Sequence, residues 1–266
     1  MDVKTALVLA GTRAGAEDPL AVYAGVSHKA LIEVGGRTMI ERVVTALAAL
    51  PGLERILIST ERADLLQACR GLRACAPHVE IDVIPAATGP SASVAAAFER
   101  CGAPLLVTTA DHALLRLAWI TDFLAGVPAG CDVAALLAPR AAVMAARPET
   151  HRTFLRFADG AWSGCNLFWL ATPRAAEVVR FWQSIEAERK HPARLVRRLG
   201  LCFALRYRCG RLTLGDALER LHTLCGARAA VVESADGLAA IDVDKPADLD
   251  LVRRIVAETA EGGIQA

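Results

Sequence analysis

Near the start of the chain, a glycine-containing turn lies between an apolar run and a lysine. Residues 6–9 are apolar and too few for a helix, which predicts a buried strand of a parallel sheet. The run leads to Gly11 and Gly15, which have no side chains to block backbone N–H groups from a bound anion. Arg13 and Lys29 add positive charge. The pattern suits a nucleotide triphosphate, and an ordinary turn with solvated charges is the alternative.

Two aspartates are placed at the ends of other predicted strands. Asp111 follows a strand at 104–109, and Asp244 ends a strand at 239–244. Because ligands bind at the carboxyl ends of strands in open α/β sheets, we expect both carboxylates beside the glycine turn. Mg²⁺ favours one or two carboxylates together with substrate phosphates. Each aspartate could instead cap the helix that follows it.

Strands and helices alternate along most of the chain, which predicts a mostly parallel sheet with helices on both faces. Strands are predicted at 6–9, 55–59, 80–84, 104–109, 132–137, 229–232 and 239–244. Helices are predicted at 37–50, 62–75, 91–100, 119–124, 172–189, 213–224 and 247–257. Asp159-Gly160 predicts a hairpin between 154–158 and 162–169, and a basic stretch at 189–211 follows the next helix.

Composition limits the class of protein. The 266 residues are 54% hydrophobic and 22% charged, which is enough for one domain with a sizeable core. A net charge of +1 gives no general case for a nucleic-acid partner. The 8 cysteines have no zinc-ligand spacing and indicate reduced thiols in a cytoplasmic protein. No apolar segment reaches the roughly 18 residues of a membrane span, and Asp2 and Lys4 before a short apolar run argue against a signal peptide.

Several segments, in the same order, resemble the MobA-like NTP transferase superfamily. They are Leu9-Ala10-Gly11, His28-Lys29-Ala30-Leu31, Gly35-Gly36-Arg37-Thr38-Met39-Ile40, Thr109-Ala110-Asp111-His112 and Ile241-Asp242-Val243-Asp244-Lys245-Pro246-Ala247-Asp248-Leu249. The resemblance covers residues 3–257 and implies a single-domain, Rossmann-like fold of the GT-A type at 1–262. It also implies a small acceptor-side lobe of hairpin and helices at about 150–228, with a tail at 263–266.

The resemblance assigns the nucleotide site. Gly11 and Arg13, with Ala10 and Thr12 beside them, match the loop that holds the triphosphate, and Lys29 matches the lysine that faces the phosphates. The usual loop reads G-x-G-x-R, whereas this chain reads Gly11-Thr12-Arg13-Ala14-Gly15.

Further positions follow from the same resemblance. Ser91 and Ser93 fall where relatives begin a helix near the nucleobase. Asp111 and Asp244 match the metal ligands, with Asp242 as the alternative to Asp244.

The acceptor side is assigned by position. Gly164 and Asn166 fall where relatives that use sugar phosphates present an asparagine to the substrate, and Lys190 could meet an acceptor phosphate. A soluble, cytoplasmic enzyme without nucleic-acid partners is expected. We expect the apolar residues of the basic stretch to form an amphipathic helix packed on the sheet rather than a membrane contact.

The implied reaction is transfer of an NMP from an NTP to a small phosphorylated acceptor, such as a sugar, polyol or alcohol phosphate, with Mg²⁺ and release of pyrophosphate. Lys29, Arg13 and Asp111 are the expected catalytic residues, because phosphoryl chemistry depends on positioning and charge neutralisation. The segment 89–94 resembles cytidylyltransferases, which favours CTP over GTP. A GTP-dependent guanylyltransferase of molybdopterin or cobinamide-phosphate type and a catalytically degenerate nucleotide-binding protein are the alternatives.

Two other classes share parts of the pattern. A NAD-dependent Rossmann enzyme would need G-x-G-x-x-G, which is missing, although Glu61 follows the second strand where such enzymes bind ribose. A GT-A glycosyltransferase would share the fold and the metal chemistry. Lys29 and Arg13 favour a triphosphate over a nucleotide-sugar.

Overall fold

A computed structural model describes residues 2–12, 18–62, 64, 69, 71–188 and 192–262. Within these residues the strands are β1 Thr5–Leu9, β2 Glu33–Val34, β3 Arg37–Thr38, β4 Arg55–Thr60, β5 Glu80–Pro85, β6 Leu105–Thr109, β7 Val133–Pro139, β8 Leu155–Phe157, β9 Gly160–Leu170 and β10 Ala229–Glu233. The α-helices there are α1 Pro19–Ala24, α2 Met39–Ala48, α3 Pro90–Cys101, α4 Leu117–Gly126, α5 Arg140–Ala146, α6 Ala175–Glu188, α7 Pro192–Leu199, α8 Leu201–Arg208, α9 Leu214–Cys225 and α10 Pro246–Gly262.

The strands build an eight-stranded sheet in the order β10-β7-β9-β6-β1-β4-β5, with β8 paired to β9. Parallel pairing joins β6, β1, β4 and β5, and also joins β10 to β7. Among the described strands of this sheet, only β9 runs against the others; β6, β7 and β8 are all antiparallel to it. The predicted mostly parallel α/β sheet is therefore confirmed.

Alternate residues of the central strand point to opposite faces of the sheet. Ala6 and Val8 of β1 pack into the same apolar cluster as α2, α4 and α10. Leu7 packs into the other cluster, with α3 and α6. Because successive side chains of a strand point to opposite sides, burial of every residue from 6 to 8 requires helices on both faces. This layering is as predicted.

The predicted hairpin is present, but its second strand belongs to the middle of the sheet. β9 has 11 residues and lies between β6 and β7, antiparallel to both. Its pairing with β7 shifts register between Ala135 and Leu137. Asn166, in this irregular part of β9, has φ of 48°, a left-handed conformation that asparagine tolerates better than most residues.

The predicted last strand at 239–244 is wrong. Gly237–Ala240 form a 3₁₀ helix, and the following residues pair with no strand although Ile241 and Val243 are fully buried. The 3₁₀ helix packs closely on α5: a Cβ atom at Gly237 would lie 2.2 Å from the carbonyl oxygen of Ala142. Burial against a helix therefore produced the apolar pattern that resembles a strand.

The amphipathic helix expected in the basic stretch is not one continuous helix: α7 is amphipathic, whereas α8 is not. The chain forms two short helices, α7 and α8, separated by Gly200 with φ of 99°. No residue of α8 is buried, and Leu201 and Leu205 are 66% and 54% exposed. We call residues 192–225 the outer helical segment; it also contains α9, which has no buried residue. On α8 the arginines interleave with the apolar residues, so this helix has no continuous apolar face.

Other predictions lie partly or wholly outside the described residues. The predicted helix at 62–75 is one of these, and its described part at 71–75 consists of turns. The predicted tail 263–266 lies outside as well. Among the residues that are described, no helix combines the length and apolar character needed to cross a bilayer.

Candidate active site

The carboxyl ends of three neighbouring strands, β1, β4 and β6, meet at one edge of the sheet. The N–H of Ala10 donates to the carbonyl of Ser59 at 2.8 Å, and the N–H of Ala110 donates to the carbonyl of Leu9 at 2.9 Å. These bonds hold the glycine turn against the residues that follow β4 and β6. We call this region, with residues 10–12, 29 and 111, the carboxyl edge.

Gly11 allows a close approach between two loops. A Cβ atom there would lie 3.1 Å from the Cβ atom of Ala86, which follows β5. Such a distance is tighter than ordinary van der Waals contact, so a larger residue would push the loops apart. The turn therefore needs glycine at position 11 in order to pack against its neighbour.

Thr12 is bound by an acidic side chain. Its backbone N–H donates to Glu61 Oε2 at 3.0 Å, and its hydroxyl also donates to the Glu61 carboxylate. His28 Nε2 lies 3.3 Å from Glu61 Oε1, while His28 Nδ1 accepts the N–H of Ala30. Burial is the largest single influence and opposes ionisation of Glu61, but the hydrogen bonds from the Thr12 hydroxyl and from backbone N–H groups together outweigh it and lower the pKa of Glu61.

Lys29 lies between the two predicted metal ligands. Its Nζ atom is 2.8 Å from Asp111 Oδ2 and 3.1 Å from Asp244 Oδ1. The two contacts limit the separation of these oxygens to about 6 Å. One lysine ammonium is therefore in contact with both carboxylates, and their role as ligands of a shared metal ion stays a prediction.

The charges of this cluster stabilise one another. Burial disfavours the charged form of Lys29, but Asp111 and Asp244 outweigh it and raise the pKa of Lys29. Burial likewise opposes ionisation of Asp111, but Lys29 and the hydroxyl of Thr109, 2.5 Å away, lower the pKa of Asp111. An ionised Asp111 and a protonated Lys29 follow at neutral pH.

A backbone hydrogen bond explains how Asp244 reaches Asp111 without being on a strand. The N–H of Val243 donates to the carbonyl of Asp111 at 3.1 Å. On the other side, Asp248 accepts the N–H groups of Asp244 and Lys245 at 3.2 and 3.0 Å, where α10 begins. The closing segment is therefore fixed at both ends of the short stretch that carries Asp244.

Asp242 has different partners. It forms an ion pair with Arg152 and accepts a hydrogen bond from Asn166 Nδ2 at 2.5 Å. The side chains of Arg152 and Asp242 are only 10% and 12% exposed. Burial, followed by the negative charge of Asp111, raises the pKa of Asp242 to about 6 despite Arg152. The structure thus joins Asp244, and not Asp242, to the Lys29–Asp111 pair.

A cleft of about 680 Å³ opens over the carboxyl edge. Its lining includes all three nucleotide-turn positions in the described chain, both residues of the Lys29–Asp111 pair, and Asp244. The lining residues are Leu9, Ala10, Gly11, Thr12, Asp18, Pro19, Leu20, His28, Lys29, Ala30, Ala110, Asp111, Asp244, Lys245 and Pro246. The cleft therefore brings together three segments that are far apart in sequence.

Four predicted positions do not line this cleft. Ser93 is buried, and its Oγ accepts the N–H of Ala87 at 2.9 Å. Ser91 is buried too, and its N–H donates to Glu186 at 3.2 Å. Gly164 pairs with Leu137 inside the sheet, and Asn166 is bonded to Asp242. Arg13 and Lys190 lie outside the described residues.

The donor set matches a hard cation that is completed by its substrate. Across the described chain, no group of three or more His, Cys, Asp or Glu is arranged to hold a metal by itself. Asp111 and Asp244 supply two carboxylates at the cleft, and Mg²⁺ takes its remaining ligands from phosphates and water in such sites. The residues present therefore fit Mg²⁺.

Comparison with protein families agrees with the fold and the cleft. The model of the MobA-like NTP transferase domain matches residues 6–199, most of the chain. The chain therefore belongs to this family of nucleotidyltransferases. No curated protein gives a significant match to the sequence.

Solved structures share the architecture. A hypothetical transferase from Thermus thermophilus is 27% identical, with a TM-score of 0.75 over 93% of this chain and 99% of that one. CMP:2-keto-3-deoxy-manno-octonic acid synthetase complexed with CTP is 16% identical, with a TM-score of 0.56 over 96% and 99% of the two chains. A 4-diphosphocytidyl-2C-methyl-D-erythritol synthase from Anaerococcus prevotii is 10% identical, with a TM-score of 0.56 over 96% of each chain.

The sequence did not reveal two of the site's residues. Arg152 is an isolated arginine in a loop before β8, and no spacing connects it to Asp242. Glu61 was noted only as a possible ribose-binding acid of a dinucleotide enzyme. The signal for Glu61 is its place directly after the strand next to β1.

Proposed function

We propose that this nucleotidyltransferase moves an NMP from an NTP, CTP in preference to GTP, to a small phosphorylated acceptor such as a sugar, polyol or alcohol phosphate. The observation that carries the proposal is the contact of Lys29 with both Asp111 and Asp244 in the cleft beside the glycine turn. The preference for CTP rests on the segment 89–94, and the similar synthetase solved with CTP supports it.

In the proposed reaction, an acceptor phosphate oxygen attacks the α-phosphorus of the NTP. The bond to the β-phosphate oxygen breaks, and pyrophosphate leaves. Lys29 donates hydrogen bonds to phosphate oxygens and offsets their charge, and the turn at 10–12 holds the nucleotide in line. The attacking oxygen is already ionised at neutral pH, so the reaction requires no protein base.

Asp111 and Asp244 would hold Mg²⁺, which when bound neutralises negative charge on the reacting phosphates. Arg13, next to the described part of the turn, is proposed to add a second positive charge toward the leaving pyrophosphate. Both roles follow from charge complementarity, because the substrate and product each carry several negative charges.

The acceptor is proposed to bind on the side of β9. Asn166 has both donor and acceptor atoms for substrate hydroxyls, although its amide is bonded to Asp242 here. Gly164 leaves open space beside it, since a Cβ atom there would have no neighbour within 4 Å. Lys190 is proposed to meet the acceptor phosphate.

Pyrophosphate release tests the proposal directly. Wild-type protein with Mg²⁺ is assayed against CTP, GTP, UTP and ATP, each with a panel of sugar, polyol and alcohol phosphates. We expect turnover with CTP and at least one acceptor. Asp111→Asn should lower kcat by about 100-fold or more, because it removes a charge from the Lys29 cluster. Asp122→Asn, at an exposed acid on α4, is the matched control and should keep full activity.

Two results would contradict the proposal in different ways. Turnover with GTP alone would establish a guanylyltransferase and overturn the CTP preference. Absence of pyrophosphate release with every NTP, in protein that binds nucleotide, would establish a degenerate nucleotide-binding protein.

A further inference from the structure

The carboxylate of Glu61 covers the part of the glycine turn that was expected to bind phosphate. Both hydrogen-bond donors of Thr12, its N–H and its hydroxyl, go to Glu61. A Cβ atom on Gly11 would lie 3.7 Å from Glu61 Oε2, so the carboxylate stands directly over the turn. The donors of Thr12 are therefore occupied by a negative group of the protein itself.

This arrangement divides the cleft by charge. A triphosphate next to the Glu61 carboxylate would meet like charge with no ammonium in contact. At Asp111 and Asp244, the Lys29 ammonium and the Mg²⁺ that these carboxylates would hold offer opposite charge. We therefore assign the phosphates to the Lys29 side. Glu61 adjoins the cleft through the lining residues Thr12 and His28, and this side is left for the uncharged nucleoside.

Glu61 retains capacity to bind a ligand. A carboxylate has about four lone-pair positions; the two hydrogen bonds from Thr12 use two of them, and His28 Nε2, 3.3 Å from Oε1, faces a third. The side chain is 40% exposed, so a ligand can reach the remaining positions. These positions accept hydrogen bonds only, which selects a donor such as a hydroxyl.

The position of Glu61 in the sheet identifies the donor. Glu61 follows β4, which is the parallel neighbour of the glycine-turn strand β1. In the dinucleotide-binding Rossmann fold, which shares this arrangement of strands and turn, an acid near the end of the adjacent strand accepts a hydrogen bond from ribose. The cleft-lining residues Thr12 and His28 hold Glu61 from two sides at this position.

We propose that Glu61 accepts a hydrogen bond from a ribose hydroxyl of the bound NTP and thereby makes the enzyme select ribonucleotides. The inference rests on the proposed function, since it assigns the nucleoside end of the same cleft. His28 and Thr12 act as positioning residues that fix the carboxylate.

Binding and turnover of three nucleotides test the role of Glu61. CTP, 2′-deoxy-CTP and 3′-deoxy-CTP are measured by calorimetry and by pyrophosphate release with the best acceptor. Wild type should prefer CTP over at least one deoxy analogue by about 10- to 100-fold, because the analogue lacks the hydroxyl that donates to the Glu61 carboxylate. Glu61→Ala should bring this ratio close to one by weakening CTP alone, and Glu61→Gln, which keeps an acceptor oxygen, should retain part of it.

Glu54→Ala is the matched control. Glu54 lies just before β4, at the opposite end of the strand from Glu61, and contacts Lys4. Its removal deletes the same charge from the same strand and should leave the ratio of CTP to its deoxy analogues unchanged.

Three outcomes would overturn the inference. Equal weakening of CTP and both analogues in Glu61→Ala would mean that Glu61 only shapes the turn. Equal strengthening would mean that Glu61 competes with phosphate. A change in the ratio of CTP to UTP, with the ribose ratio unaltered, would place the base at Glu61.

These outcomes are separable from the proposed reaction. Selective ribonucleotide binding without pyrophosphate release would refute the reaction and support Glu61. Pyrophosphate release without ribose selection would refute the role of Glu61 alone. Failure to bind any NTP would refute both.

Discussion

The carboxyl edge and the outer helical segment are both rich in charge, yet they treat charge in opposite ways. At the carboxyl edge, Lys29 touches two carboxylates, and beside it Arg152 is buried with Asp242. In the outer helical segment, the arginines other than Arg220 are solvent-exposed, and a pair such as Arg206–Asp216 lies at the surface. Charged side chains therefore hold the first region together through buried contacts, whereas in the second region they are mostly hydrated. Equivalent substitutions should change the free energy of unfolding by very different amounts.

The largest difference is expected between two ion pairs. Arg152→Met leaves Asp242 buried without its cation and should lower the free energy of unfolding by about 3–5 kcal/mol. Arg206→Met removes a partner from a surface pair in which the Arg206 side chain is 46% exposed and that of Asp216 is 33% exposed. This variant should lower the free energy of unfolding by about 0–1 kcal/mol. Urea unfolding of both variants measures the contrast.

A second substitution shows whether the effect of Arg152→Met comes from the Asp242 carboxylate that is left without a cation. Adding Asp242→Asn to Arg152→Met should recover part of the loss, because no charge is then left buried. Equal losses in Arg152→Met and Arg206→Met would break the distinction between the two regions.

Apolar residues should show a similar contrast. Leu57→Ala empties a fully buried position of β4 and should lower the free energy of unfolding by about 2–5 kcal/mol. Leu205→Ala, on α8, removes the same atoms from an exposed side chain and should change the free energy of unfolding by less than about 0.5 kcal/mol. A large loss from Leu205→Ala would show that α8 is packed against a partner in solution.

The smallest effect concerns pH at His28. Burial lowers the pKa of His28 below its ordinary value of 6.5, despite the nearby Glu61 carboxylate. The unfolded chain therefore binds a proton at higher pH than the folded protein. Stability from this group is complete above pH 6.5 and is lost as pH falls, by at most about 1.4 kcal/mol per pH unit.

His28→Asn tests this sign. Asparagine can still accept the N–H of Ala30, which His28 accepts at the start of its 3₁₀ helix, but it does not titrate. Unfolding between pH 7.5 and 5.5 should show a shallower loss of stability in the variant than in wild type. Parallel profiles would mean that His28 stays neutral in both states or is charged in both.

The sequence was sufficient for the parts that follow simple periodic rules. Short apolar runs separated by helices predicted the parallel sheet, and the ends of those runs located Gly11 and Asp111 at one edge. Lys29 follows no such run, and its place there was implied by the family resemblance. Asp244 was placed correctly beside them for the wrong reason, since it follows a 3₁₀ helix and not a strand. Its position depends on the hydrogen bond from Val243 to Asp111, which no local pattern encodes.

Long-range contacts of single residues account for the rest. Arg152 reaches Asp242 across 90 positions, and Glu61 reaches Thr12 across 49. The path of β9 between β6 and β7 is also non-local, because the hairpin signal at Asp159-Gly160 fixes only the pairing of β8 with β9. The exposure of Leu201 and Leu205 on α8 could not be predicted, since spacing alone does not show whether a helix packs against the rest of the protein.

The left-handed backbone of Asn166 limits which residues can replace it. Glycine fits φ of 48° but has no side chain to donate to Asp242, and aspartate fits the backbone but would place a second carboxylate against it. Glutamine or arginine could donate but would strain the backbone. Among residues that adopt this backbone readily, asparagine donates to Asp242 with the smallest side chain, so a saturation library at position 166, selected for folded protein, should return mainly asparagine.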